Sequence, residues 1–153
     1  MSAFARLMYR GLQWKERQRA LRGAGAPAAS DPGGHGRTGA RGETLVYWYL
    51  RAAGYVILAR NRRARSGAGE LDLIGWDGPV LSFVEVKTRT STDVGPPEAA
   101  VNHAKRRRLA RAAKEYMRRL PHPPPSYRFD VASVAWDARA GLQVRLIKDA
   151  FRP

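Results

Sequence analysis

The stretch from Glu70 to Thr88 constrains the fold more than any other part of the chain. Two apolar, β-branched runs, Glu70–Trp76 and Val80–Thr88, flank Asp77-Gly78, a dipeptide favoured in two-residue hairpin turns. The spacing predicts an antiparallel hairpin in which Trp76 faces Pro79, Ile74 faces Leu81, Asp72 faces Phe83 and Glu70 lies opposite Glu85. Side chains alternate along a strand, so Glu70 and Asp72 then share a face with Glu85 and Lys87. Asp72 and Glu85 become diagonal neighbours, about 7 Å apart or less between their Cβ atoms. A four-residue turn would keep the shared face; a three-residue turn would break it.

Two carboxylates held this close repel each other unless positive charge lies between them. Converging carboxylates with a lysine two residues along match the needs of a hard divalent cation, which takes oxygen ligands and keeps waters that can become nucleophiles. Asp72 and Glu85, with the carbonyl of Val86, are the expected metal ligands, for Mg²⁺ or Mn²⁺. Lys87 is expected to steady the attacking water or the charge building on a phosphate. Read alone, the same cluster describes a solvated group of ion pairs. Its setting among Leu71, Leu73, Phe83, Val84 and Val86 favours the catalytic reading.

The remaining pattern supplies the rest of the fold. Leu45, Val46, Trp48, Tyr49, Ala52 and Ala53 recur at helical spacing and Gly54 stops the helix. Tyr55–Arg60 reads as a strand, and Ser66–Gly69 as a break. Pro96, Pro97 and Glu98 announce a second helix, whose apolar face runs from Val101 to Leu120 and which Pro121–Pro125 ends. Tyr127–Val134 and Leu142–Ile147 are the closing strands. The expected class is α/β, a mixed sheet flanked by helices in the order α-β-β-β-α-β-β. Residues 1–38 read as a flexible basic arm with a short amphipathic stretch at Phe4, Leu7, Met8 and Leu12, then a Gly/Pro-rich linker. Residues 39–153 form the domain.

Charge narrows the partners. The 153 residues carry 28 Lys and Arg against 13 Asp and Glu, a net +15, and a field of that sign concentrates polyanions. The second helix holds Lys105, Arg106, Arg107, Arg108 and Arg111, expected to bind the phosphates of nucleic acid. There is no cysteine, which removes disulfides and thiolate metal sites and suits a reducing cytoplasm. No apolar run is long enough to cross a bilayer, so no membrane partner is expected. His35, His103 and His122 lack ligand spacing. Arg128 and Asp130 read as a structural ion pair.

The residues also carry a family resemblance. G-E-T-L-V-Y-W-Y-L-R-A-A-G-Y-V-I-L-A-R-N, then G-E-L-D-L-I, F-V-E-V-K-T-R, P-P-E-A-A-V-N-H-A-K-R-R-R-L and R-F-D-V occur in the order seen in the YraN-like family of bacterial proteins, which this chain resembles over about residues 39–135. That family is similar to archaeal Holliday-junction resolvases and, by fold, to the restriction-endonuclease-like PD-(D/E)XK nucleases. The resemblance implies a metal-dependent endonuclease fold with motif acids at Asp72 and Glu85 and motif lysine at Lys87. It adds Glu43, at the start of the first helix, as the acid that completes the site through water. As a plain helix-terminal acid, Glu43 would instead only favour the helix dipole. Glu70 is expected as an outer acid. The segment Arg65–Gly69 is longer than the family's usual link and is expected to widen a loop beside the site.

The expected function is therefore hydrolysis of DNA phosphodiesters, on branched DNA in recombination or repair by analogy with resolvases. The same analogy implies a homodimer, and no small-molecule cofactor is expected. One rival is a nucleic-acid-binding protein that keeps the nuclease fold without cutting. A second is an interaction protein of ribosome or recombination machinery, bound through the arm.

Overall fold

The computed structural model describes residues 2–22, 34–89, 102–137 and 141–152. Among these residues three helices and five strands follow one another as α1 (Ala3–Leu21), α2 (Gly34–Ala52), β1 (Val56–Arg63), β2 (Glu70–Asp77), β3 (Val80–Arg89), α3 (His103–Met117), β4 (Ser126–Asp137) and β5 (Gly141–Phe151). The strands make a single five-stranded sheet in the order β1-β2-β3-β4-β5, with β1 and β3 both antiparallel to β2. This is the expected α/β class, with α1 standing before the predicted element order. None of the described helices is long and apolar enough to cross a membrane.

The chain forms two compact units. One holds α1 and α2 with the ends of β3 and β4 and the start of β5. The Ser2 side chain caps α1 by accepting from the Ala5 amide. In this unit α1 packs on α2 through edge-to-face pairs, Phe4 with Trp48 at 5.8 Å and Tyr9 with Tyr49 at 5.5 Å. Glu16, the only acid among residues 1–30, is buried at 6% exposure and bound by Arg19 at 2.8 Å and by Arg41 of α2. The expected amphipathic stretch is thus the front of a longer helix.

Helix α2 reaches back to Gly34, into the Gly/Pro-rich linker expected before residue 39; residues 23–33 lie outside the described part. Each interior glycine costs a helix up to about 1 kcal/mol. At Gly42 packing offsets that, because a Cβ there would run into the Thr88 side chain on β3.

The other unit holds β1, β2, the start of β3, α3, the start of β4 and the end of β5. Its core gathers Leu71, Ile74, Leu81 and Phe83 with Leu109, Ala112 and Ala113 of α3 and Phe129, Val131 and Phe151. Phe129 stacks between Phe83 (5.6 Å) and Phe151 (5.0 Å). Asn102 caps α3, its side-chain oxygen accepting from the Lys105 amide at 2.9 Å. The helix start expected at Pro96, Pro97 and Glu98 lies outside the described residues.

The glycine-rich segment after β1 is tied to α3. The amides of Arg65 and Ser66 and the Ser66 hydroxyl all donate to the Glu115 carboxylate, at 2.8, 3.1 and 2.6 Å. The Ser66 hydroxyl and these two amides favour the ionised carboxylate and hold its pKa down at about 2. A depressed carboxylate contributes stability above its unfolded pKa of about 4.3 and loses it as pH falls through the folded value. We therefore expect amide-exchange protection of Arg65 and Ser66 to hold at pH 5 and fade from about pH 4 toward pH 2. Glu115→Gln should flatten that dependence.

Candidate active site

The site is set by the register of β2 against β3. Asp77 pairs with Val80, Trp76 with Leu81, Ile74 with Phe83 and Leu73 with Val84. The turn is therefore Gly78-Pro79, and the expected register, with Asp77-Gly78 as the turn and Trp76 facing Pro79, is corrected by two residues. The reason lies in the backbone. Gly78 has φ +58, and the Pro79 ring fixes a negative φ, which suits a two-residue turn with glycine at its first position. Asp77-Gly78 as a type I′ turn would need a positive φ at Asp77, which Asp77 does not have.

A shift of two preserves which face each side chain occupies. It also brings the acids closer. Continued by one residue, the observed register sets Asp72 opposite Glu85, not diagonal to it, and pairs opposite one another have Cβ atoms about 4.5–5.5 Å apart. Glu70 is then no longer across from Glu85. It pairs with Arg63 on β1, Nε to Oε2 at 2.9 Å, which is a place for a strand-edge ion pair.

Glu85 is only 4% exposed, and the Lys105 ammonium lies 2.9 Å from its Oε1. Lys105, expected to bind phosphate, makes this ion pair from the first turn of α3, four residues before the buried Leu109, with a third of its side chain exposed. That spacing, one helical turn before an apolar stripe, is the sequence signal for its direction. Asp72, Val86 and Lys87 are half-buried. Lys87 follows Glu85 by two residues on β3, so strand alternation places it on the Glu85 side.

Asp72 and Glu85 belong to one compact unit; Val86, Lys87 and Glu43 belong to the other. Within that second group, Gly42 lies against Thr88, so Glu43 is held beside the end of β3 that carries Lys87. Among the described residues no three acids or histidines form a metal cluster. The donor set is thus an oxygen pair, which fits Mg²⁺, a cation commonly held by one or two carboxylates with waters and phosphate completing its shell. The ammonium on Glu85 shows that this buried carboxylate is a place for positive charge.

The basic row of α3 divides by direction. Arg106 covers the Phe151 ring at 5.3 Å, a cation–π contact. Arg107, Arg108 and Arg111, with Lys114, line an open cleft of about 710 Å³ together with Ala104, Ala110 and Tyr127. Sequence reasoning does not single out Tyr127 as a site residue, since it reads as an ordinary residue at the start of β4.

At the hairpin end of β2 lies a separate polar network, where the expected Arg128–Asp130 ion pair is found at 2.8 Å. Asp130 is fully buried and also accepts from the Ser82 hydroxyl (2.6 Å) and the Asp149 amide (2.9 Å). Arg128 reaches on to Asp77 at 2.5 Å and to the Tyr55 hydroxyl at 2.9 Å. Burial pushes the Asp77 carboxyl up, but hydrogen bonds from Lys148 and Arg128 outweigh it and hold the group below its ordinary value. Burial also raises the Tyr55 hydroxyl, helped by the charge of Asp130.

A five-stranded sheet with helices before it and between its third and fourth strands places the chain in the mixed α/β class. A sequence pattern described as "Uncharacterised protein family UPF0102" matches residues 42–134. The UPF0102 protein of Solibacter usitatus is 48% identical over 120 residues, covering 78% of this chain and 87% of that protein. That of Symbiobacterium thermophilum is 51% identical over 115 residues, covering 75% and 96%. That of Koribacter versatilis is 46% identical over 117 residues, covering 76% and 80%. The chain belongs to the UPF0102 family, the YraN-like proteins.

Proposed function

We propose that this protein is a metal-dependent endonuclease of the PD-(D/E)XK type that hydrolyses DNA phosphodiesters. One observation carries the reading: the β2–β3 register, continued one residue past Leu73 and Val84, sets Asp72 opposite the buried Glu85, beside which an ammonium sits at 2.9 Å, and Lys87 follows two residues on. Asp72, Glu85 and the Val86 carbonyl would hold Mg²⁺ or Mn²⁺. When bound, such an ion polarises a phosphoryl oxygen and lowers the pKa of water. Lys87 would donate a hydrogen bond to the attacking water or to the charge developing on phosphate. Glu43 would orient that water, and the cations of α3 would hold the DNA backbone. Branched DNA in recombination or repair is the substrate suggested by the resolvase resemblance. A chain without cysteine suits such work in the cytoplasm.

The Lys105–Glu85 ion pair also favours a second reading. An ammonium that satisfies the acid permanently would leave a nucleic-acid-binding protein with a silent nuclease fold.

Linear, nicked and branched DNA incubated with purified protein and Mn²⁺ decide between them. The nuclease reading expects cutting that EDTA abolishes, and that Asp72→Ala and Lys87→Ala each reduce by about 100-fold or more. Equal cutting by wild type and variants would mark a contaminant and retire the assignment. Binding without cutting, in every protein, would select the silent fold.

A further inference from the structure

The cleft on the outer side of α3 has a composition of its own. Ala104, the adjacent pair Arg107 and Arg108, Arg111 and Lys114 follow at three-residue steps, so they form a single stripe along the helix. Ala104 and Ala110 keep its floor low, and Tyr127, arriving at the start of β4, closes one side. Among the described residues none of Arg107, Arg108, Arg111 and Lys114 forms an ion pair, whereas Lys105 and Arg119 close by do. Four unneutralised cations on one stripe repel each other, and a polyanion is the partner that turns that repulsion into attraction.

Tyr127 makes the cleft more than a charged surface. Its ring meets Phe83 at 6.3 Å and 80°, and Phe129 at 6.0 Å and 86°. Two nearly perpendicular core rings therefore fix it in place while 42% of the residue stays exposed. An aromatic ring mounted this way loses little freedom when a flat partner stacks on it. A duplex keeps its bases paired and inside, offering the cleft only phosphates. An unpaired strand offers phosphates and a base face together, the pairing of basic groove and stacking platform that single-strand binders use.

We infer that the cleft of Arg107, Arg108, Arg111, Lys114 and Tyr127 binds a single-stranded nucleic-acid segment, with one base stacked on Tyr127 and neighbouring phosphates on the four cations. This deepens the proposed nuclease reading by naming an unpaired strand as the part of the substrate recognised. It relies on that reading only for the class of ligand.

The test is fluorescence anisotropy in EDTA, where no cutting occurs. The probes are a labelled oligothymidine of about 12 nucleotides and a blunt duplex of equal length. The expected result is that Tyr127→Ala weakens oligothymidine binding about tenfold and leaves duplex binding within about twofold. Tyr127→Phe keeps the ring and should bind oligothymidine like the wild type. Arg111→Ala with Lys114→Ala should weaken both probes and reduce the salt dependence of binding. The inference is overturned if Tyr127→Ala affects both probes equally or neither while its melting curve matches that of Tyr127→Phe. It is also overturned if the wild type does not bind oligothymidine at all. Metal-dependent cutting that survived either result would leave the nuclease reading standing. Loss of cutting with intact Tyr127-dependent binding would sink that reading alone.

Discussion

Arg128→Ala is expected to lower folding stability by about 3 kcal/mol, read as a downward shift of the urea midpoint. The Arg128 side chain is 16% exposed, and its Nε donates to both carboxylate oxygens of the fully buried Asp130, at 2.8 and 3.1 Å. Removing one partner of a buried pair leaves a desolvated charge, which typically costs about 3–5 kcal/mol. Asp130 retains the Ser82 hydroxyl and the Asp149 amide, which places the loss at the lower end. Asp77 also loses a partner but keeps Lys148 at 2.6 Å, and that ion pair is half in solvent. The melting temperature should fall by roughly 6–12 °C for a chain of this size. Arg128→Met combined with Asp130→Leu removes both charges and should cost less than Arg128→Ala alone. If the single substitution cost under about 1 kcal/mol, the network would be decoration on a fold held by its aromatic core.

The elements of this fold are legible in the sequence because their periodicities are clean. The β-branched runs after Gly54 are β1, β2 and β3, and the apolar stripe through Leu109, Ala112, Ala113 and Tyr116 is the inner side of α3. The shared face of Asp72 and Glu85 survives because a slip of two residues leaves strand parity unchanged. The slip itself is not legible from composition. Asp77-Gly78 and Gly78-Pro79 are both turn dipeptides, and the fold takes the pair whose backbone angles a negative-φ Asp77 allows. Helix α2 starts earlier than its periodicity predicts, and at Gly42 tertiary packing offsets glycine's poor propensity. Charge alone groups Lys105 with its basic neighbours, although its own place lies on the inner stripe. Long-range partners such as Glu115 with Ser66, 49 residues apart, leave no trace in local pattern.

Lys105→Met is expected to destabilise the metal-free protein by about 2 kcal/mol and to make Mn²⁺ more stabilising than it is for the wild type. Glu85 is 4% exposed, so losing the ammonium at 2.9 Å takes a positive partner from a buried carboxylate. Lys105 is itself 33% exposed, and solvent screening brings the loss below the full buried-pair range. On the proposed function a divalent cation must compete with that ammonium for Glu85. Without Lys105 the competition ends, and apparent Mn²⁺ affinity should rise about tenfold, a change of about 1.4 kcal/mol. Thermal melts with and without Mn²⁺ read both effects, with Glu85→Gln as the comparison. The neutral amide of Glu85→Gln needs no counter-charge, so that variant should lose the response to Mn²⁺. Unchanged melting of Lys105→Met would show the ion pair to be a weak surface contact despite the burial of its acid. A normal loss of stability with no Mn²⁺ response in any protein would identify Lys105 as the permanent occupant of the site. The same ammonium thus either reserves the place of a metal or takes it, and the difference between two melting curves tells which.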